Sequence, residues 1–255
     1  MQKVTTFIGI VPQAPTRSLI FAALNLEQRV IDLRQGDMED VIAFASAQEY
    51  AIAAICGPLR PNQGLMKLEA VRQRIKPIPP PGRWADDRLA EYLLRQHNLR
   101  VARTSAKAEQ CPSWMQTSFR LSERLAAAGY QDYGADEAQL QLMEVSPDAT
   151  YTVLIGKRPF AKSSLEGRLQ RQLILYDQGL HIDDPMRVFE EITRYRLKQG
   201  ILPLDGLYSP NELNALIAAF TAWLAEADPQ QISSYGDPAE GQIFLPAAVL
   251  KKKYP

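Results

Sequence analysis

Three basic side chains, Lys162, Arg168 and Arg171, share a short segment of the sequence with the acidic Glu166. Arg168 and Arg171 are three residues apart, so on a helix they lie on the same face. Guanidinium and ammonium groups grouped in this way can bind phosphate oxygens, which makes the segment a candidate phosphate-binding patch. The alternative is a solvated helix face on which the basic residues pair with Glu166. The spacing is compatible with both interpretations.

Two further side chains could take part in chemistry. Cys56 could act as a nucleophile, but no histidine lies near it in the sequence, and a buried thiol is the favoured interpretation. His181 precedes Asp183 and Asp184, and together these residues could bind a metal ion. A loop at the start of a helix, with one aspartate as the N-cap, explains the same pattern better.

The composition is that of a globular protein with a hydrophobic core. The chain has 255 residues, of which 46% are hydrophobic, and its 29 basic residues balance 29 acidic ones. Zero net charge gives no global attraction to nucleic acid. Two cysteines do not make a disulfide framework or a zinc site. Neither a signal peptide nor a membrane-spanning run is recognised, so we expect a cytoplasmic protein that does not enter a membrane.

The hydrophobic pattern predicts an α/β protein. Three β-rich runs at residues 4–10, 19–24 and 28–33 are joined by short links, which predicts an antiparallel meander. A helix starting near Met38 precedes an uninterrupted apolar run at residues 51–56, and such runs are typical of strands buried on both faces. Further strands are predicted at 141–145 and 242–244, and helices at 86–97, 114–128, 165–176, 184–198 and 209–224.

The order of these elements and four short motifs resemble one known family, domain-of-unknown-function family 429. Residues 144–149 (EVSPDA) resemble a motif at the end of one of its strands, and residues 162–168 (KSSLEGR), with Arg171 following, resemble a second motif. Residues 213–223 (LNALIAAFTAW) resemble its last helix, and residues 236–241 (GDPAEG) resemble a late turn. The resemblance covers nearly the whole chain, with the motifs in the same order.

This resemblance implies a ribonuclease H-like α/β fold with a mixed five-stranded sheet flanked by helices. A single domain would cover residues 1–255, with a helical or loop insertion at about 57–135. We expect the first strand to be central and to lie beside the strand at Ala51. The family is predicted to contain metal-dependent nucleases, in which carboxylates hold two divalent cations. The five strands of the sheet would lie near Val4, Leu19, Gln28, Ala51 and Gln141.

The resemblance also implies three aspartates at positions where this sequence has other residues. Val11 stands after Gly-Ile at the end of the first strand, Cys56 after Ala-Ile at the end of the buried strand, and Asn214 before Ala-Leu in the last helix. None of these residues supplies the charge that magnesium or manganese requires from its ligands. We therefore expect a degenerate site with no metal cofactor and no catalytic residue, in which Glu144 is the surviving acid.

Three functions are compatible with this sequence. The favoured one is a non-catalytic binding or assembly module, whose partner is a protein or a nucleic acid. The alternative is a metal-dependent nuclease that binds Mg²⁺ or Mn²⁺ through the relocated acids Glu144, Asp148, Asp37 and Glu212. The third is a nucleic-acid-binding protein that does not cleave, and the zero net charge counts against it.

Overall fold

The computed structural model describes residues 5–80, 82–135 and 138–255, so the predicted strand start at Val4 lies outside the described residues. Within these residues the chain forms a mixed sheet flanked by helices. Its strands are β1 (Thr5–Val11), β2 (Leu19–Leu24), β3 (Val30–Gly36), β4 (Tyr50–Ile55), β5 (Gln131–Asp132), β6 (Leu140–Val145), β7 (Ser233–Asp237) and β8 (Gly241–Leu245). Its helices are α1 (Met38–Ser46), α2 (Glu69–Arg72), α3 (Leu89–Gln96), α4 (Ser113–Ala127), α5 (Pro147–Ile155), α6 (Leu165–Asp177), α7 (Arg187–Glu191), α8 (Arg194–Lys198) and α9 (Pro210–Ala227).

The sheet combines an antiparallel meander with a parallel part. The strand order is β3-β2-β1-β4-β6-β8-β7, and the short β5 also pairs with β6. Strand β2 is antiparallel to both of its neighbours, β1 and β3, whereas β4, β6 and β8 run parallel to β1. The five strands predicted from the sequence therefore lie in one mixed sheet. The first of them is an interior strand beside β4, as expected.

The described sheet has eight strands, and the prediction of five is wrong. Strand β8 agrees with the short strand predicted at 242–244, so the sheet continues beyond β6. Strand β7 has the sequence SSYGD, which lacks the apolar alternation that marks a strand. Strand β5 has two residues, both exposed, and is too short to give a periodic signal. Strands β5 and β7 are thus held by pairing with a neighbour and not by their own hydrophobic pattern.

The first strand is buried on both faces because helices cover each side of the sheet. Phe7 belongs to a core formed with α9, whereas Ile8 belongs to a core formed with α1 and α4. Alternate side chains of a strand point to opposite faces, so a run of apolar residues such as TTFIGIV supplies both cores. The same holds for β4, whose residues after Tyr50 are all buried.

Helix α9 lies so close to β1 that the strand requires a glycine at the crossing point. A Cβ atom added to Gly9 would lie 1.9 Å from the carbonyl oxygen of Ala215 and 2.5 Å from the amide nitrogen of Ala219. The helix begins as the sequence predicts, because the Ser209 hydroxyl accepts a hydrogen bond from the Glu212 backbone N–H at 3.3 Å. This close packing places the first turns of α9 directly against β1.

The segment between β4 and β6 contains α2, α3, α4 and β5, in the region of the predicted insertion. Helix α3 packs against β7 and β8 through Leu94 and Ile243, and so extends the core beyond the parallel strands. The predicted helix at 86–97 begins later, at Leu89, because Asp86 lies in a preceding 3-10 turn and does not cap the helix.

The helix predicted at 184–198 is two short helices, α7 and α8. Ile192 adopts an extended conformation between them, and the Thr193 hydroxyl caps α8 by accepting a hydrogen bond from the Arg196 N–H at 3.1 Å. A local cap thus competes with the continuous periodicity that the sequence suggests. In the described part of the chain, no helix has the length and apolar character needed to cross a membrane.

Candidate functional site

A cavity of about 700 Å³ lies where the parallel strands β1, β4 and β6 end. The carboxyl ends of parallel strands meet at the same edge of a sheet, and ligands of open α/β sheets commonly bind there. Val11 ends β1, Cys56 directly follows β4, and Glu144 is the penultimate residue of β6. All three line the cavity.

The structure brings together the three residues that replace the expected aspartates. Val11, Cys56 and Asn214 line the same cavity, and the Cys56 Sγ donates a hydrogen bond to the backbone oxygen of Asn214 at 3.3 Å. Asn214 reaches this position because α9 packs directly on β1 at Gly9. Their convergence agrees with the arrangement that the sequence resemblance implies. What the cavity lacks at these positions is negative charge.

Glu144, the acid that remains, is bound by a buried arginine. Arg88 Nη1 donates to Glu144 Oε2 at 2.9 Å, and Arg88 Nη2 donates to Glu144 Oε1. Arg88 is 1% exposed and Glu144 is 2% exposed. Both carboxylate oxygens therefore face one guanidinium group, in the bidentate geometry that gives the strongest charge-assisted hydrogen bonds.

The same arginine binds a second buried acid, Glu91. Arg88 Nε donates to Glu91 Oε1 at 3.0 Å, and the backbone N–H of Thr104 donates to the same oxygen at 2.9 Å. Burial raises the pKa of Glu91, and the charge of Arg88 opposes this shift. Burial alone would lower the pKa of Arg88, but Glu144 and Glu91 raise it above its ordinary value, so the guanidinium stays charged.

Backbone N–H groups complete this buried network. The Leu59 N–H donates to Glu144 Oε2 at 3.3 Å. Glu240, which is fully buried, accepts from the Gln63 N–H at 2.9 Å and from the Leu89 N–H at 2.8 Å. Since Leu89 begins α3, Glu240 also fixes the start of the helix that follows Arg88. The network thus joins the segment after β4 to α3, β6 and the turn before β8.

Sequence reasoning does not identify Arg88, Glu91 or Glu240 as parts of the site. The spacing of Arg88 and Glu91 allows an ion pair on a helix, but it equally fits an exposed pair. Charged residues are rarely buried completely, so a sequence pattern gives an exposed position as the default. Glu240 lies in the recognised motif at 236–241, yet its partners are far away in the sequence.

The other acids proposed as relocated metal ligands have structural roles. Asp148 lines the cavity but forms an ion pair with Arg171 at 3.2 Å. Asp37 caps α1 by accepting from the Asp40 N–H at 2.9 Å, and Glu212 accepts from the Ser209 N–H at 2.7 Å. Among residues 5–80, 82–135 and 138–255, no group of three His, Cys, Asp or Glu side chains could hold a metal ion. This donor set does not fit a pair of divalent cations.

Lys162 lies in the wall of the cavity, apart from the other two phosphate-binding candidates. Arg168 donates to the backbone oxygens of Leu207 and Tyr208, at 2.6 and 2.9 Å. Arg171 is buried and donates to the backbone oxygen of Phe160 at 2.8 Å in addition to its ion pair. Both arginines of the predicted patch thus form hydrogen bonds that hold α6 to its neighbours.

Cys56 has the surroundings of a structural thiol. It is 9% exposed, and burial raises its pKa well above the ordinary value for cysteine. A nucleophilic cysteine needs a lowered pKa or an adjacent base. Its hydrogen bond to the Asn214 backbone oxygen requires the protonated thiol as donor.

A model of a known protein family matches most of the chain. The model of the family described as "Protein of unknown function (DUF429)" matches residues 60–240. The chain belongs to the DUF429 family. The match contains Arg88, Glu144 and Asn214, whereas Val11 and Cys56 precede it. No curated protein matches the chain.

Proposed function

We propose that this DUF429 protein is a non-catalytic binding module with a ribonuclease H-like fold. The observation that carries the proposal is the bidentate pairing of Arg88 with Glu144 at the end of β6. In a nuclease of that fold, a carboxylate at this edge of the sheet would face divalent cations. Here a cation built into the chain neutralises the carboxylate and occupies its two oxygens.

The arrangement of the strands supports the fold part of the proposal. An antiparallel meander of three strands is followed by a helix and by a fourth strand parallel to the first, next to β1. Strand β6 then adds in parallel on the far side of β4. This is the order of elements on which the sequence resemblance rests. Fold alone does not specify function, so the proposed absence of catalysis depends on the charges in the cavity.

The balance of charge supports the absence of metal-dependent catalysis. Two divalent ions would bring four positive charges into a small volume, and these charges repel each other strongly unless several carboxylates surround them. The acidic residues of the cavity wall are Glu144 and Asp148, and they pair with Arg88 and Arg171. The buried guanidinium of Arg88 would itself repel an incoming cation.

A cleavage assay tests this proposal. Single- and double-stranded DNA and RNA would be incubated with the protein and Mg²⁺ or Mn²⁺, beside a Glu144→Gln variant prepared in the same way. We expect no metal-dependent products with either protein. Robust cleavage that is lost in Glu144→Gln would show that a relocated acid site exists, and the module would then have to be regarded as a nuclease. Cleavage of equal rate in both proteins that persists through repeated purification would also contradict the proposal, whereas cleavage that purification removes comes from a contaminating enzyme.

A further inference from the structure

The cavity contains positive side chains that the fold itself does not use. Its charged wall residues are Arg17, Arg88, Arg100, Lys162, Glu144 and Asp148. Arg88 and the two acids are engaged in the ion pairs described above. The side chains of Arg17, Arg100 and Lys162 have no carboxylate or hydrogen-bond partner in the described part of the chain. The four basic and two acidic residues of the described wall therefore leave a net charge of +2, and three of the positive charges are unpaired, in a protein whose total formal charge is zero.

These three cations come from separate parts of the fold. Arg17 lies between β1 and β2, Arg100 lies after α3, and Lys162 lies before α6. Each is exposed, so none is held in place by burial in the core. Like charges that surround one cavity repel each other, and an anion bound between them would relieve that repulsion. The cavity is thus electrostatically suited to an anionic group.

A buried amide oxygen in the same wall has no partner either. Asn214 is 8% exposed, and its side-chain oxygen Oδ1 is buried and accepts no hydrogen bond from any residue that the structure describes. Buried polar groups are normally paired with protein, water or ligand. An amide can both donate and accept, so Asn214 can pair with a hydroxyl, amino or carbonyl group. This second, independent feature indicates a ligand with neutral polar groups as well as a charge.

The size of the cavity favours a small molecule over a polymer. Its volume of about 700 Å³ lies within the range of about 300–1,000 Å³ that is typical of small-molecule sites. Val11, Val101, Trp114 and Ile243 supply apolar surface to the wall for an organic body. Binding to a nucleic acid depends on contacts to many phosphates, and the neutral chain provides no general attraction of that kind.

The geometry points to a binding site for a small organic anion, a molecule with a phosphate or carboxylate group held by Arg17, Arg100 and Lys162 and a polar group near Asn214. This inference rests on the proposed non-catalytic function, because it assigns a ligand to the cavity in place of metal ions. Phosphates and carboxylates share the anionic oxygens that guanidinium and ammonium groups recognise. Binding experiments with ligands of each class distinguish a phosphate from a carboxylate.

Thermal shift and calorimetric titration would test the site in EDTA, so that metal ions play no part. The probes are inorganic phosphate, adenosine monophosphate and succinate, with uncharged adenosine and sodium chloride of equal ionic strength as controls. We expect a concentration-dependent rise in melting temperature and a saturable calorimetric isotherm with at least one anion, and neither with the controls. Stabilisation by phosphate and adenosine monophosphate would identify a phosphate ligand, and stabilisation by succinate alone would identify a carboxylate ligand.

Two variants connect binding to the cavity. Arg100→Gln/Lys162→Gln should weaken the affinity about tenfold or more, because charge-assisted hydrogen bonds are lost. The exposed Lys198 lies outside the cavity, and Lys198→Gln should leave the affinity unchanged. Equal affinities in the two variants would overturn the inference, as would the absence of stabilisation by every anion.

A polymer ligand would also overturn the inference. A single-stranded oligonucleotide that binds more tightly than adenosine monophosphate, with an affinity that falls steeply with salt, would show that the surface recognises nucleic acid. None of these results depends on cleavage. If the cleavage assay is negative and no anion binds, the ligand assignment fails and the non-catalytic function stands. If cleavage is found, the proposed function fails, whatever the result in EDTA.

Discussion

Arg88 binds both carboxylate oxygens of Glu144, and the two side chains are at most 3% exposed. Removing two charges from water carries a large penalty, which is offset when the pair is bidentate and its remaining hydrogen-bonding capacity is filled. The Leu59 N–H and the Glu91 carboxylate fill that capacity here. The net stabilisation by the intact pair can be small. The cost of removing one member is large, because a buried charge is left without its partner.

Replacing Arg88 by methionine should strongly destabilise the protein. Both Glu144 and Glu91 would lose their cation, and breaking a buried ion pair typically costs about 3–5 kcal/mol. Glu144→Gln should cost less, since Arg88 keeps Glu91 as a partner. Urea unfolding followed by circular dichroism measures both changes. If Arg88→Met does not fold, Glu144→Gln still provides a measurable comparison.

An exposed ion pair serves as the matched control. Arg124 pairs with Glu39 at the surface, with side chains 42% and 71% exposed. Arg124→Met should change the free energy of unfolding far less than Arg88→Met, because water can solvate Glu39 when its partner is removed. Similar losses for the two arginine variants would contradict a special role for the buried pair.

The parts of the fold that the sequence predicts are those set by local hydrophobic pattern. Strand β4 is an uninterrupted apolar run, β1 is rich in β-branched residues, and α9 begins with a serine cap followed by proline, so each has a signal within its own residues. The convergence of Val11, Cys56 and Asn214 is different, because these residues lie far apart in the sequence and only the family resemblance implied that they meet.

The pairing of Arg88 with Glu144 depends on residues 56 positions apart, and no local pattern records it. Strand β7 is polar, and its partner β8 defines it by hydrogen bonding. The break between α7 and α8 results from the Thr193 cap, which competes with a continuous helical periodicity. Contacts between distant residues decide the first two cases, whereas a local hydrogen bond decides the break between the two helices.

Gly9→Ala should destabilise the protein by disturbing the contact between β1 and α9. The new Cβ would lie 1.9 Å from the Ala215 carbonyl oxygen, and a backbone atom of a packed helix can move away only with the helix itself. Overpacking of this kind typically costs about 1–3 kcal/mol, which urea unfolding can detect. Gly82→Ala is the control, since its Cβ would lie at an ordinary 3.5 Å from Trp84. If both alanine variants are as stable as the wild type, α9 does not pack against β1 as closely as the distance from Gly9 to Ala215 indicates.

Cys56 should react slowly with iodoacetamide in the folded protein. Burial raises the pKa of its thiol, so the reactive thiolate is scarce at pH 8, and Cys111→Ser would isolate the reaction at Cys56. Because the folded state has the higher pKa, its contribution to stability is fully present below the unfolded value of about 8.5 and is lost as the pH rises above it. Alkylation followed by mass spectrometry, with and without urea, measures the difference. Rapid modification of the native protein at pH 8 would show an accessible thiolate instead.

Mg²⁺ and Mn²⁺ should not stabilise the protein. A ligand that binds the folded state and not the unfolded state raises the melting temperature, by an amount that grows with the logarithm of its concentration above the Kd. The acids in the cavity wall, Glu144 and Asp148, already pair with Arg88 and Arg171, so a divalent ion would have to displace a guanidinium group from each. We expect the melting temperature in either metal chloride to match that in sodium chloride of equal ionic strength. A concentration-dependent rise that is specific to the divalent ions, and that disappears in both Glu144→Gln and Asp148→Asn, would mean that the carboxylates exchange their arginine partners for metal. The charge balance on which the non-catalytic function rests would then be incorrect.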